Sequence, residues 1–278
     1  MEFVQGFLGT SAKEGPEKAE NAVKDRKRSY VTLLCNDTYY NGVQVLVKTI
    51  KKHCSGSYPI TVVVDKVNVS QTTIIRLKKL VDMVIEVDPL YHNQNKESAN
   101  AIEKEEGGCW AASEMTKLRL WSLIQFDQLV YVDADCMVLE SIDELFDKCS
   151  DIPFAAAPDV FPPDKFNAGV LVLKPDQAIF DDICRKLPDL KSYDDGDTGV
   201  LNAYFPDWYR GCAASRLSFG YNMQRTLYWF TYKKRPGYWD SIMPKKIVHF
   251  SSSPKPWDST MATASGDLEF RWWQELMS

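Results

Sequence analysis

Between residues 30 and 87 the chain alternates short apolar runs with amphipathic ones, and this alternation constrains the fold more than any other feature. Tyr30-Val-Thr-Leu-Leu34 is rich in β-formers. Val43, Leu46, Val47 and Ile50 then recur at helical spacing. Residues 60–64 are continuously apolar, Ile74, Leu77 and Leu80 mark a second amphipathic helix, and residues 83–87 read as a third strand. Strands that are apolar throughout have both faces covered, which predicts an α/β fold with a largely parallel sheet between helices. Helix is expected again at 113–124 and strand at 129–132. Residues 92–108, rich in Asn, Lys and Glu, read as a loop or lid.

The second half is less regular. Strands are expected at 154–157, 169–173 and 246–250, and helices at 179–187 and 268–277. Aromatic residues crowd 204–238, as in a pocket wall or an interface. The polar stretch before residue 30 reads as a leader (1–29), and 30–278 as one domain. With 278 residues, 45% of them hydrophobic, the chain can bury a core without staples. Its 33 Lys+Arg against 38 Asp+Glu give 33 − 38 = −5, which argues against broad nucleic-acid binding. No run reaches the roughly 18 apolar residues of a membrane span. Residues 3–8 lack the basic flank of a signal peptide. Seven cysteines without a C-x-x-C pair fit reduced thiols, so a cytoplasmic protein is expected. The sequons at Asn36 and Asn68 then read as chance.

Val130-Tyr-Val-Asp-Ala-Asp135 carries the strongest chemistry. An apolar strand runs directly into two carboxylates, and ligands of open α/β sheets bind beyond the carboxyl ends of strands. Paired carboxylates call for a neutralising cation, and hard divalent ions such as Mn or Mg take oxygen ligands and share their shell with phosphate. The alternative is a solvated turn. His249 is either a hydrogen-bonded strand-end histidine or a further ligand. The proline-constrained Ser251-Ser-Ser-Pro-Lys-Pro-Trp257 follows it, and Lys255 there can meet a phosphate oxygen. Asp194-Asp-Gly-Asp-Thr-Gly199 is a polar turn capping a helix from Val200, or a set of sugar-hydroxyl contacts; the calcium-loop spacing is not met. Phe166-Asn-Ala-Gly169 puts an amide just before a strand. No G-x-G-x-x-G follows the first strand, no Walker loop occurs, and three histidines with no suitable Ser or Cys motif support no hydrolase triad.

In this order the pieces resemble glycosyltransferase family 8, and within it the glycogenin-like enzymes. The resemblance spans 30–257. It rests on Val31-Thr-Leu-Leu-Cys-Asn-Asp-Thr-Tyr39, Thr116-Lys-Leu-Arg-Leu-Trp-Ser122, the Asp133-Ala-Asp135 acids, Phe166-Asn-Ala-Gly169, Asp194-Asp-Gly-Asp197, and His249 with Lys255-Pro-Trp257. The family implies a GT-A fold, a UDP-sugar donor, a bound Mn and transfer with retention. By position, Asp133, Asp135 and His249 look like metal ligands. Leu33, Asn36 and Tyr39 look like uridine contacts. Lys117, Ala134 and Lys255 look like further donor contacts, Lys255 at the diphosphate. Asn167, Asp194 and Asp197 look like catalytic, sugar-facing groups.

The chain departs from glycogenin at two places. Thr198 stands where the glycogenin loop has glutamine, and Trp229 falls on the self-glucosylated tyrosine, with Tyr228 adjacent and Tyr232 near. A transferase acting on a separate glycan is therefore expected, most similar to the cytoplasmic glycogenin-like α-galactosyltransferases that cap the glycan on the Skp adaptor of SCF ubiquitin ligases. A self-glucosylating primer and a non-catalytic UDP-sugar-binding scaffold are the alternatives. The family resemblance also implies a homodimer.

Overall fold

The computed structural model describes residues 27–92, 114–149, 152–231 and 237–278. The expected leader through residue 26 and the expected loop or lid from 93 onward lie outside the described residues.

The alternation becomes β1 (Arg28–Leu34), α1 (Tyr40–His53), β2 (Ile60–Asp65), α2 (Gln71–Leu80) and β3 (Met83–Val87). β1 begins at Arg28, two residues before the apolar run, because Arg28 and Ser29 are themselves buried and pair with β4 (Gln128–Val132). Successive residues of β1 face opposite sides: Tyr30 and Leu34 join one core cluster, Val31 and Leu33 another. This is the two-residue period of a strand covered on both faces. Ser70 and Asp176 accept backbone N–H bonds at the starts of α2 and of α4 (Gln177–Lys186), where the first turn has no internal partner.

The helix expected at 113–124 is a 3-10 helix over Glu114–Ser122. Met115, Leu118 and Trp121 recur every third residue and are all fully buried, which matches three residues per turn. After β4 come β5 (Cys136–Val138), α3 (Glu144–Lys148), β6 (Phe154–Pro158), β7 (Phe166–Leu173), α4, and α5 (Asp197–Tyr204). β7 starts three residues before the apolar run at Gly169, so Asn167 lies inside a strand. α5 starts at Asp197 and not at Val200, so the acidic loop is the helix entrance. The aromatic stretch resolves into β8 (Met223–Gln224), α6 (Arg225–Thr231) and α7 (Tyr238–Ser241), followed by β9 (Ile247–His249) and α8 (Asp267–Met277).

The main sheet has the order β3-β2-β1-β4-β7-β6. Its first four strands run parallel, and β7 and β6 add antiparallel pairs. A small sheet, β5-β9-β8, stands beside it. The join between the two sheets positions the site. Antiparallel pairing sets Val132 opposite Val170, and Asp133 N donates to Gly169 O at 2.8 Å, so Gly169 lies beside the first acid and Asn167 two residues before it on the same strand. β9 pairs with β5 so that His249 opposes Cys136, and Phe250 N donates to Asp135 O at 2.9 Å. The two acids thus sit where the chain leaves one sheet and enters the other. No helix of the described residues is long and apolar enough to cross a membrane.

Candidate active site

Beyond the carboxyl end of β4 lies a cleft of about 280 Å3, and every residue singled out above as a ligand or contact lines it: Leu33, Asn36, Tyr39, Lys117, Asp133, Ala134, Asp135, Asn167, Asp194, Asp197, His249 and Lys255. Six separate stretches of chain converge there.

His249 stands near both acids, closer to the second. His249 Nε2 is 3.2 Å from Asp135 Oδ1 and 3.8 Å from Asp133 Oδ2. Cis ligands of a small divalent ion are about 3 Å apart when each bond is about 2.1 Å, so Asp135 and His249 already stand at ligand spacing, while Asp133, held by Lys117 and Tyr131, would have to turn toward them to join. Cys136 also lies within 4.8 Å of Asp135 and His249. Burial holds that thiol well above the ordinary cysteine pKa, so it stays a neutral S–H inside the core. Asp133 is the better third ligand.

Positive charge surrounds the acids. Lys255 donates to Asp135 Oδ2 at 2.6 Å and to Phe250 O at 2.8 Å. Burial pushes the Asp135 carboxyl up; Lys255 is the main group opposing it, and the carboxyl ends far below the usual carboxylate range. Lys117 bridges Asp133 (3.0 Å) and Asp197 (2.6 Å) and also donates to Ala168 O at 3.2 Å. Burial opposes its charge, but the two carboxylates outweigh burial and hold it protonated. Lys117 is therefore built into the floor of the cleft as the group that holds two acids together.

The acidic loop is more than a solvated turn. Asp194 Oδ1 accepts from the backbone N–H of Gly196 (3.0 Å) and Gly199 (2.9 Å) and from Ser192 Oγ (2.7 Å), which anchors the entrance of α5. Thr198 Oγ1 accepts from Ala168 N at 3.1 Å, tying the same helix to β7. Asn36 caps the turn after β1 by accepting from Thr38 N at 3.0 Å. Tyr39 stands edge-on to Trp257 with ring centroids 4.9 Å apart.

Sequence reasoning missed Tyr131, whose hydroxyl donates a short hydrogen bond to Asp133 Oδ1. Burial, then Asp133, pushes that phenol far up, so it stays a donor. Its spacing of two from Asp133, on a strand, was a readable sign that both share a face. It also missed Asn222, which accepts from His249 Nδ1 at 2.8 Å, and Arg225, described below. Neither has a local signature.

Gly169 allows the histidine to sit where it does. A Cβ there would lie 2.3 Å from His249 Cε1 and 2.5 Å from Nδ1. Gly169→Ala is therefore expected to push the ring off its position and weaken Mn2+ binding by about 10-fold or more, with the fold retained by circular dichroism. A titration giving wild-type affinity would show that the ring tolerates the methyl group.

A family model, glycosyl transferase family 8, matches residues 30–261. The chain belongs to this family. It is 34% identical over 262 residues to glycogenin-1 of Caenorhabditis elegans, covering 89% of this chain and 54% of that protein. It is 32% identical over 233 residues to human glycogenin-1, covering 84% of this chain and 63% of that protein. The chain thus spans between about half and two-thirds of these curated relatives. Among solved structures, a galactosyltransferase, LgtC, crystallised with donor and acceptor sugar analogues, superposes with a TM-score of 0.61 at 19% identity over 90% of this chain and 95% of that one. The likeness establishes the GT-A fold that the family resemblance implied.

Proposed function

We propose that the chain is a retaining, metal-dependent transferase that moves a hexose, galactose or glucose, from a UDP-sugar to a glycan acceptor. The observation that carries this is the convergence of Asp133, Asp135 and His249 in one cleft with Lys255 at its edge. Two carboxylates and an imidazole suit Mn or Mg, and a cation there would supply Lewis-acid stabilisation of the diphosphate as it leaves.

The chain's own groups do the rest. Asp133 and Asp135 hold the cation side of the cleft, and Lys255 adds a second positive charge for the leaving diphosphate. Leu33, Asn36 and Tyr39 flank the uridine. Lys117 holds Asp133 and Asp197 in place. Asp194, with Oδ1 committed to the α5 entrance, offers Oδ2 to the sugar; Asp197 and Asn167 complete that wall. Retention requires the acceptor hydroxyl to attack on the face from which the diphosphate departs. The new C–O bond forms as the old one breaks, and the leaving phosphate oxygen takes the acceptor's proton, so no separate base is needed.

For the acceptor, we favour a glucoside on a protein-linked glycan, of the Skp-adaptor type, with UDP-galactose as donor. Trp229 supports a separate acceptor, because it occupies the self-glucosylated position and lies over Arg225 at 4.2 Å. Tyr228 is buried, and Tyr232 lies outside the described residues. The identity to glycogenin-1 favours the second reading, self-glucosylation. A homodimer and a cytoplasmic location complete the proposal, the dimer supported by exposed Trp229, Phe230 and Phe270.

The test is UDP release from UDP-galactose and UDP-glucose with Mn2+ or with chelator, with and without a glucoside. Turnover should need the metal and rise with the glucoside, and the protein mass should stay constant. A hexose ladder on the protein would establish the second reading. Turnover indifferent to chelation would remove the metal-dependent mechanism, and a monomer in sedimentation would remove the dimer.

A further inference from the structure

A run of hydrogen bonds leads from the β7 backbone to the metal-facing nitrogen of His249, and its polarity is set by one backbone group. Gly169 N–H meets Asn167 Oδ1 at 2.9 Å. A backbone N–H only donates, so the Asn167 atom facing it is the amide oxygen. The Asn222 atom 2.9 Å from that same oxygen must then be the NH2 group. Asn222 therefore turns its own oxygen toward His249 Nδ1, 2.8 Å away. An amide oxygen only accepts, so Nδ1 carries the proton. The neutral ring has one N–H, which leaves a lone pair on Nε2. That lone pair faces Asp135 Oδ1 and Asp133 Oδ2. Nε2 and Asp135 Oδ1 are then two acceptors 3.2 Å apart, an arrangement a cation would satisfy.

We propose that Asn222 is a positioning residue that holds His249 in the Nδ1–H form and so reserves Nε2 for the cation between Asp133 and Asp135. The inference rests on the metal reading above. Asn222 is suited to the task because it is fully buried, so water does not compete for either end of its amide. Its backbone is held by a bond from its N–H to Phe219 O at 2.9 Å, and the next strand, β8, pairs Gln224 with His249. The same logic fixes Asn167. Its oxygen already accepts from Gly169 and Asn222, so it meets a ligand through its NH2, as a donor and not as a carbonyl dipole.

Two measurements test this. The first is the Mn2+ dissociation constant of the wild-type chain, Asn222→Leu and Asn222→Asp, each checked by thermal melting. Leu is close in size and has no polar atom, and should weaken Mn2+ binding about 10- to 100-fold. Asp keeps an oxygen for the Nδ1 proton and should bind far more tightly than Leu. A merely structural role predicts the reverse order, because Asp buries a charge and Leu does not. Equal affinity in wild type and Asn222→Leu, or Asp no better than Leu, would overturn the proposal. The second is 15N NMR of the metal-free chain at alkaline pH, where the ring is neutral and there are three histidines to assign. Nδ1 should be protonated in the wild type, and this form should be lost in Asn222→Leu. An Nε2–H ring in the wild type sinks the assignment. If the wild type binds no Mn2+, the metal reading falls, and the NMR result still decides what Asn222 does to the ring.

Discussion

Asp135→Asn is expected to lower metal-stimulated turnover of a UDP-sugar by about 100-fold or more, the scale found when one group stabilising developing negative charge is lost. The substitution keeps shape and removes charge. It touches two partners at once: Oδ1 faces His249 Nε2 at 3.2 Å, and Oδ2 accepts from Lys255 at 2.6 Å. A cation held there would lose an anionic ligand, and Lys255 loses the carboxylate that holds it at the cleft. Stability should change in a defined direction as well. The native carboxyl sits far below the ordinary range, held there against burial chiefly by Lys255. A depressed native pKa stabilises the fold above the unfolded carboxylate pKa, about 4, and that stabilisation is lost as pH falls. The variant should therefore show a flatter acid limb in its melting temperature. Wild-type turnover in Asp135→Asn, measured against a chelated control, would remove the metal-ligand assignment and the mechanism with it.

Glu269→Ala is expected to lower the melting temperature by about 10 °C, because removing one partner of a buried ion pair costs about 3–5 kcal/mol. Arg225 and Glu269 are 0% and 2% exposed and pair at 2.9 Å. The guanidinium also donates to Ser252 O (2.6 Å), Ser252 Oγ (3.1 Å) and Pro254 O (2.7 Å), and lies over the Trp229 and Phe250 rings. It is the clamp on the loop between His249 and Lys255. Asp258, accepting from Lys255 N, and Trp273, donating to Pro256 O, secure the far side. Alanine would leave the guanidinium charged, dry and without its counter-ion. The paired replacement Arg225→Met with Glu269→Leu should recover most of the stability, since apolar groups of similar volume often substitute for a buried pair. It should not recover turnover, because methionine cannot bond the loop carbonyls. A Glu269→Ala melt within a degree or two of wild type would show that water reaches the pair.

These two variants fall on opposite sides of what could be read in the sequence. Asp135 was legible because the information is local. An apolar strand running directly into two acids occupies six consecutive residues, and ligands of open α/β sheets bind beyond such strand ends. The alternation from β1 to β3 was legible for the same reason, since strand and helix periods are written in windows of about 5 to 15 residues. Where the period is three, in 114–122, a helix was legible but not its kind, because Met115, Leu118 and Trp121 fit either spacing over so short a run. The element edges at Arg28, Phe166 and Asp197 were displaced because tertiary pairing extended them past the hydrophobic run.

Local pattern therefore determined the α/β alternation and the acidic strand end, while the set of side chains that line the cleft came from the family resemblance. It could not assign partners. That Lys117 lies between Asp133 and Asp197, that Asn222 faces His249, and that Arg225 grips the Ser252–Pro254 carbonyls against Glu269 depends on the strand order β3-β2-β1-β4-β7-β6 and on a second sheet that brings β9 beside β5. A buried charge or amide is satisfied by whichever group the folded backbone sets within about 3 Å of it, and that distance is fixed only when strands far apart in sequence pair.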